Sequence, residues 1–150
     1  MKKAVLITII FLATAVIANA QGKFGLGIIV GEPTGLSGRY KITESNSIDG
    51  AIGWSFAKYS SLHIHGDYLQ NITKLGNEVP LYIGIGGRIK MKNNDNGDDT
   101  RIAVRVPVGI VYEPSSTPID LFLEVVPMLD LTPKSEFTFN AAIGVRYFFK

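Results

Sequence analysis

Residues 81–91 have the sequence Leu-Tyr-Ile-Gly-Ile-Gly-Gly-Arg-Ile-Lys-Met, in which every second position from Leu81 to Met91 is uncharged. The two charges of the segment, Arg88 and Lys90, stand at the intervening positions. A period of two is typical of a β-strand, because successive side chains point to opposite faces of a sheet. The stretch therefore predicts a strand with one apolar face and one polar face.

The same alternation extends through eight segments that cover most of the chain. Their apolar faces comprise 42 positions without Asp, Glu, Lys or Arg, in residues 24–30, 36–42, 48–56, 62–68, 81–91, 102–112, 119–129 and 137–149. Because 19% of the residues are charged, about eight charges would be expected at 42 unselected positions. One face of the sheet must therefore meet surroundings that exclude charge.

The N-terminus has the three parts of a secretory signal peptide: Lys2 and Lys3, an apolar run over residues 4–17, and the small-residue cleavage site Ala18-Asn19-Ala20. We expect residues 1–20 to be a signal peptide and residues 21–150 to form one domain. The chain has no cysteine, which excludes a disulfide framework. Without Lys2 and Lys3 the basic and acidic residues balance at 13 each, so nothing suggests a nucleic-acid partner.

Turn-forming residues such as Glu32-Pro33-Thr34-Gly35 and Glu113 to Pro118 separate the eight segments. Eight short strands joined by hairpins predict an all-β fold, an eight-stranded antiparallel up-and-down barrel. Pro107 and Pro127 lie inside predicted strands, and a closed barrel has no edge strand that tolerates a missing N–H. We therefore expect a bulge or a break near each of them.

The apolar face could point inward, as in a soluble lipocalin-like barrel, or outward to lipid, as in an outer-membrane barrel. An eight-stranded interior is just wide enough for packed side chains, so 42 mostly large apolar groups would not fit inside it. If the first strand starts at the periplasm, the apolar-face aromatics also form two belts, as at membrane interfaces. The periplasmic belt is Phe24, Tyr40, Tyr68, Tyr112, Tyr147 and Phe149, and the outer belt is Trp54, Phe56, Phe137 and Phe139. The sequence thus predicts a transmembrane β-barrel, with a soluble barrel as the alternative.

Two turns predict the register of the strands that carry the polar face. Asn96-Gly97 is typical of a two-residue type I′ turn and would place Arg88 opposite Arg105. A following hairpin in which Tyr112 faces Ile119 would bring Glu124 diagonally next to Arg105. An Arg-Arg-Glu cluster in the lumen follows from these registers.

The predicted luminal charge network extends beyond this cluster. Lys41 is expected to face Asp49, and Asp120 is expected to face Arg146. The whole network then consists of Arg88, Arg105, Glu124, Asp120, Arg146, Lys41 and Asp49. Because buried charges must be paired, we predict a plugged lumen, with a gated narrow pore as the alternative.

His63, His65 and Asp67 alternate on the inward face of one strand, a spacing by which His-x-His could hold zinc. A turn at Lys58 to Ser60 would also place Ser55 opposite His63, the minimum arrangement of a Ser–His nucleophile pair. These side chains would face a packed lumen, and no second motif supports a site. We therefore favour luminal hydrogen bonding and predict no catalytic residue, no metal and no cofactor.

Three stretches carry a resemblance to known proteins: Gly31-Glu32-Pro33-Thr34-Gly35-Leu36-Ser37, Arg105-Val106-Pro107-Val108-Gly109, and Gly144-Val145-Arg146-Tyr147-Phe148-Phe149. With the eight-strand pattern, they make the mature chain similar to small bacterial outer-membrane β-barrel proteins of the OmpA-like size class. The pattern G-x-P-T-G-[LI]-S after the first strand resembles a small family of such barrels that has no assigned biochemical activity. The resemblance implies a fold and a location in the bacterial outer membrane.

We accordingly expect a non-enzymatic integral outer-membrane protein with a structural or surface-interaction role. A narrow small-solute channel and a lipid-modifying enzyme that uses Ser55 and His63 are the alternatives. The expected partners are outer-membrane lipids and lipopolysaccharide, and the outer-membrane assembly machinery during insertion. We expect a monomer that binds no nucleic acid.

Overall fold

The computed structural model describes residues 22–55, 60–95 and 97–150, together with Ala4, Ile7, Thr8 and Phe11. Apart from those four positions, the predicted signal peptide lies outside the described residues. In the described part of the chain, no helix is long and apolar enough to cross a membrane.

In the part of the chain that the structure describes, nine strands form one antiparallel sheet that closes on itself. They are β1 Phe24–Gly31, β2 Gly35–Lys41, β3 Asn46–Ser55, β4 Ser61–Gly76, β5 Val79–Asn94, β6 Gly97–Arg105, β7 Val108–Tyr112, β8 Ile119–Thr132 and β9 Glu136–Phe149. Both β6 and β7 pair with β5 on one side and β8 on the other, so they are two halves of one barrel strand. Pairing of β1 with β9 closes the ring. The predicted eight-stranded up-and-down antiparallel barrel is confirmed.

The break between β6 and β7 falls at Val106 and Pro107, where the sequence predicted a break. Val106 lies next to Pro127 of β8 and donates its N–H to the Pro127 carbonyl at 3.0 Å. In an antiparallel sheet that pair would exchange two hydrogen bonds, but Pro127 has no N–H to return. The interruption near Pro127 lies in the strand opposite it, between β6 and β7, while β8 itself runs through Pro127.

Four predicted registers are wrong by two residues, and two of them concern the predicted Arg-Arg-Glu cluster. Asn94 pairs with Gly97, so the β5–β6 turn begins one position earlier than the predicted Asn96-Gly97 turn, and Asn96 itself lies outside the described residues. Tyr112 pairs with Leu121 and not with Ile119. A shift of two residues keeps every side chain on its predicted face and changes only its neighbours.

The stagger of the strands is readable from one row of paired residues. The row that starts at Gly25 passes through Arg39, Asp49, Asp67, Gly86, Arg105 and Met128 and reaches β9 at Thr138. Across the seam, however, Gly25 pairs with Phe148, ten residues further along β9 than Thr138. The strands must therefore tilt against the barrel axis, as closure of a staggered sheet requires.

The two faces of the barrel differ as the alternation predicts. The outer face is apolar and exposed, with Ile85 60% and Ile143 57% exposed, whereas Tyr82 and Arg105 on the inner face are fully buried. The inner face also carries an apolar cluster that the sequence analysis did not single out, made by Ile29, Leu69, Tyr82, Val111 and Phe122 among others. The lumen is thus filled by apolar and charged side chains together.

Small residues make room for this filling, and Gly86 is the clearest case. A Cβ on Gly86 would collide with the Asp67 side chain and with the Gly66 carbonyl, whereas a Cβ on its neighbour Gly87, on the outer face, would come no closer than 3.8 Å to another group. We expect Gly86→Ala to lower the free energy of unfolding by about 1–3 kcal/mol, because it overpacks the lumen.

Gly87→Ala is the matched control for that substitution and should be neutral or stabilising by up to about 1 kcal/mol, since it restricts the unfolded chain. The measurement is urea unfolding of the two variants in lipid vesicles. Equal losses of stability in both variants would contradict the assignment of Gly86 to the packed lumen.

Candidate functional site

The inner face of the barrel carries the chemistry of this protein. Among the described residues, the charged side chains there that are less than 10% exposed are Arg39, Asp49, Asp67, Arg88, Arg105, Asp120, Glu124, Asp130 and Arg146. They project from β2, β3, β4, β5, β6, β8 and β9, at the positions that alternate with the apolar face. Five carboxylates therefore meet four guanidinium groups inside one barrel.

Arg146 and Arg39 bind the same carboxylate in the half of the barrel near the chain termini. Arg146 lies opposite Asp120, as predicted, and its Nε donates to Asp120 Oδ1 at 3.0 Å. Its Nη1 lies 3.3 Å from Asp49 Oδ2, and its guanidinium stacks 4.0 Å from the centre of the Phe122 ring. Arg39 Nη1 lies 3.4 Å from Asp120 Oδ2, so Asp120 bridges the two arginines.

Arg105 is the centre of a second group, at mid-barrel. Its Nε lies 2.9 Å from Asp67 Oδ1, and its Nη2 donates to Glu124 Oε1 at 3.3 Å. The Tyr82 hydroxyl donates to the other oxygen of Glu124 at 2.9 Å. The sequence predicted that Arg105 and Glu124 meet, but Glu124 lies opposite Gly109, and neither Asp67 nor Tyr82 was placed in the network.

Arg88 belongs to a third group and not to the second. It lies opposite Ala103, two positions from the predicted partner Arg105, and its guanidinium pairs with Asp130. Arg101 Nη1 lies 3.9 Å from the other oxygen of Asp130. The predicted Arg88–Arg105–Glu124 cluster is therefore wrong, because the β5–β6 register differs by two residues.

Lys41 is also placed differently from the prediction. It pairs with Ser47, whereas Asp49 pairs with Arg39. The Lys41 ammonium lies 3.0 Å from Glu113 Oε1 in the β7–β8 connection, and its side chain is 31% exposed. Lys41 therefore lies at the rim of the barrel that carries the termini, outside the buried network.

His63 and His65 lie two positions apart on β4, and Ser55 is not the residue opposite His63. Ser55 pairs with Ser61, and His63 lies between Gly53 and Lys90, so the predicted opposition of Ser55 and His63 is wrong. His63 Nε2 and His65 Nδ1 lie 3.1 Å apart, and both rings are buried. Among the described residues, no group of three or more ligating side chains is arranged to hold a metal ion.

The aromatic residues of the apolar face sort by the ends of the barrel. Tyr40, Tyr68, Tyr112 and Tyr147 are exposed towards the end that carries the termini, where the half-buried Phe24 and Phe149 rings stack with centroids 6.4 Å apart. Trp54, Phe137 and Phe139 are exposed towards the other end, which we call the far end. Phe56, predicted for the same belt, lies outside the described residues.

A comparison with models of known protein families identifies the family of this chain. The model of the family described as "Protein of unknown function (DUF3996)" matches residues 17–149. The chain belongs to this family. No curated protein matches this family member.

Two solved structures share the fold. The N-terminal β-barrel domain of Pseudomonas aeruginosa OprF matches this member of the family with a TM-score of 0.66 and 14% identity, over 83% of this chain and 93% of that chain. Neisserial surface protein A (NspA) matches with a TM-score of 0.53 and 16% identity, over 84% of this chain and 93% of that chain. Both are small outer-membrane β-barrels, and at these identities the likeness shows the fold. The finer grouping by the G-x-P-T-G-L-S motif stays a prediction.

Proposed function

We propose that this protein is an integral protein of the bacterial outer membrane with a structural or surface-interaction role and no enzymatic activity. The observation that carries the proposal is the inversion of the usual protein pattern. Apolar side chains such as Ile85 and Ile143 are exposed around the ring, while charged ones such as Arg105 and Arg146 are fully buried. Lipid is the solvent that suits such an outer face.

The packed lumen favours a closed barrel and argues against a channel. Arg105 and Arg146 are 0% exposed and are held by carboxylates from β3, β4 and β8. Moving a solute past them would require these ion pairs to be broken in a confined interior, which is costly. The alternative of a narrow channel therefore predicts conductance steps in planar bilayers, and our proposal predicts none.

The main argument for a lipid-modifying enzyme was the predicted opposition of Ser55 and His63, which the strand register does not show. A nucleophile needs its base within hydrogen-bond reach, and these two residues lie on strand positions that are not opposite each other. The partners that we propose are outer-membrane lipids and lipopolysaccharide around the apolar face, and the assembly machinery during insertion. We propose that the barrel is a monomer.

Single cysteines test the location and orientation, since the chain has no cysteine of its own. Asp95, in the β5–β6 turn, lies at the far end, and Lys150 lies at the end that carries the termini. We expect a membrane-impermeant maleimide to label Asp95→Cys on intact cells and to label Lys150→Cys only after the outer membrane is opened. Both variants should fractionate with the outer membrane.

Three outcomes would contradict the proposal. Labelling of Lys150→Cys alone on intact cells would reverse the orientation. Recovery of the protein in the soluble periplasmic fraction would favour the soluble barrel. A change in lipopolysaccharide or phospholipid mass that depends on the protein would favour the enzyme.

A further inference from the structure

A cavity of about 340 Å³ opens at the far end of the barrel, above the buried charge network. Its volume lies near the lower limit of small-molecule sites, which occupy about 300–1,000 Å³. The walls come from β5, β6, β8 and β9 and from the turn between β1 and β2. We call it the mouth cavity.

The mouth cavity has an excess of positive charge. Four basic side chains line it, Arg88, Lys90, Lys92 and Arg101, against the two carboxylates of Glu32 and Asp130. Asp130 pairs with Arg88. Arg101 lies between two carboxylates, with its Nη1 3.9 Å from Asp130 Oδ2 and its Nε 3.5 Å from Asp99 Oδ2. The Glu32 carboxylate is 63% exposed and lies 3.9 Å from the Lys90 ammonium, which is too long for a strong hydrogen bond. A concave surface with one dominant sign of charge concentrates ions of the other sign.

Buried hydrogen-bond donors in the same cavity lack a partner. They are Arg88 Nε, Thr138 Oγ1 and Asn140 Nδ2, and each forms no hydrogen bond within the described part of the chain. Arg88 is only 5% exposed, so this side chain is built into the wall and not displayed on the surface. In the described part of the chain, Asp130 Oδ2 is a buried acceptor of the same cavity that also forms no hydrogen bond, and it lies 3.9 Å from Arg101 Nη1. Buried polar groups are nearly always satisfied, and three open donors against this one acceptor indicate an acceptor-rich ligand.

We propose that the mouth cavity binds the phosphate or sulfate group of a small monoester, such as a sugar phosphate or a lipid-headgroup phosphate. A tetrahedral oxyanion offers several oxygens to guanidinium, ammonium, hydroxyl and amide donors at once, and arginine is well suited to hold it. The volume leaves room for the group that carries the ester. Binding of the anion does not depend on the proposed function. Only the side of the membrane that the mouth cavity faces rests on it.

The test is calorimetric titration of the purified mature chain, refolded in an uncharged sugar detergent. The probes are glucose 6-phosphate, glycerol 3-phosphate, inorganic phosphate and inorganic sulfate, with glucose as the uncharged control. We expect saturable binding of the phosphate esters with one site per barrel, weaker binding at higher salt, and no binding of glucose. Tighter binding of glucose 6-phosphate than of glycerol 3-phosphate would identify a sugar as the source, and the reverse order a lipid headgroup.

Isosteric substitutions localise the site. Asn140→Asp keeps the shape of the side chain but adds a carboxylate, so it should weaken binding at least about tenfold. Thr138→Val removes the hydroxyl alone and should weaken binding about threefold or more. Lys90→Gln removes one positive charge from the wall, and its matched control is Lys74→Gln, which removes one at the other end of the barrel.

The expected result is weaker binding in Asn140→Asp, Thr138→Val and Lys90→Gln and unchanged binding in Lys74→Gln, with all four folded by heat-modifiable gel migration. Absence of saturable binding by every anionic probe would overturn the proposal. Equal affinity of wild type and Asn140→Asp, or an equal loss in Lys90→Gln and Lys74→Gln, would do the same. These titrations need no cells, so a failure of the outer-membrane assignment would leave their result unchanged.

Discussion

Arg105→Met should lower the free energy of unfolding by about 3–5 kcal/mol, the cost of breaking a buried ion pair by removing one partner. Arg105 is fully buried between Asp67 and Glu124, whose side chains are 0% and 2% exposed. Without the guanidinium, two carboxylates stay in a confined interior with no counter-charge in contact on that side. The loss should exceed that of Asp67→Asn or Glu124→Gln alone, because Arg105 then keeps one carboxylate.

Neutralising the whole group should recover much of this loss. The triple variant Arg105→Met, Asp67→Asn, Glu124→Gln removes all three charges and leaves groups of similar size. The measurement is a mutant cycle on reversible urea unfolding in lipid vesicles. Arg101→Met is the control at the mouth, where the side chain is 41% exposed and its ion pairs should contribute about 1 kcal/mol or less.

Additive effects in that cycle would contradict the arrangement of the three side chains. A coupling below about 0.5 kcal/mol is what independent sites show. In that case the contacts of Arg105 with Asp67 and Glu124 would not contribute to stability, whatever their distances.

Ile85→Arg should lower the stability in a bilayer by about 2–4 kcal/mol, the cost of an arginine at the midplane of the lipid face. Ile85 is 60% exposed on the outer face and lies well inside β5. Ile143→Arg, at a 57% exposed position of β9, should have an effect of the same size. The measurement is again urea unfolding in vesicles.

Ala103→Ser serves as the inner-face control for these arginines. Ala103 is 1% exposed on β6, and a hydroxyl in the polar lumen should cost much less than an arginine in lipid. If the arginine variants were as stable as the wild type, or if the wild type were monodisperse in water without detergent, the outer face would not be a lipid face.

The faces of the strands could be predicted from the sequence, whereas the partners across the lumen could not. Parity assigns a side chain to a face from its own strand alone, and Arg105, Asp120 and Glu124 are all inside as predicted. A register depends on the turn, and the β5–β6 turn lies one position earlier than the Asn96-Gly97 signal suggests. Moving the turn by one position shifts the strand pairing by two residues. Each side chain then stays on its face of the sheet, but it faces a different residue of the neighbouring strand.

Counting residues across a hairpin predicts contacts between adjacent strands only. It cannot predict contacts between strands that are not adjacent. Asp130 reaches Arg88 from β8, and Arg146 on β9 reaches Asp49 on β3 across the barrel. These contacts depend on the stagger of the whole ring, which becomes known only when every hairpin register is known. Tyr82 was missed for a different reason: it stands on the polar face, but its hydroxyl gave no signal in a search for charged residues.

The seam between β1 and β9 has a consequence for how the barrel forms. Gly22 donates its N–H to the Phe149 carbonyl at 2.7 Å, so the two ends of the domain become neighbours only when the last strand is in place. Joining ends that far apart costs roughly 3 kcal/mol more loop-closure entropy than closing a hairpin of a few residues. Until it closes, two strand edges carry unpaired N–H and C=O groups that hydrocarbon cannot satisfy. At the proposed location in the outer membrane, insertion of the chain should therefore be a single cooperative event, because an open sheet is not stable in the bilayer.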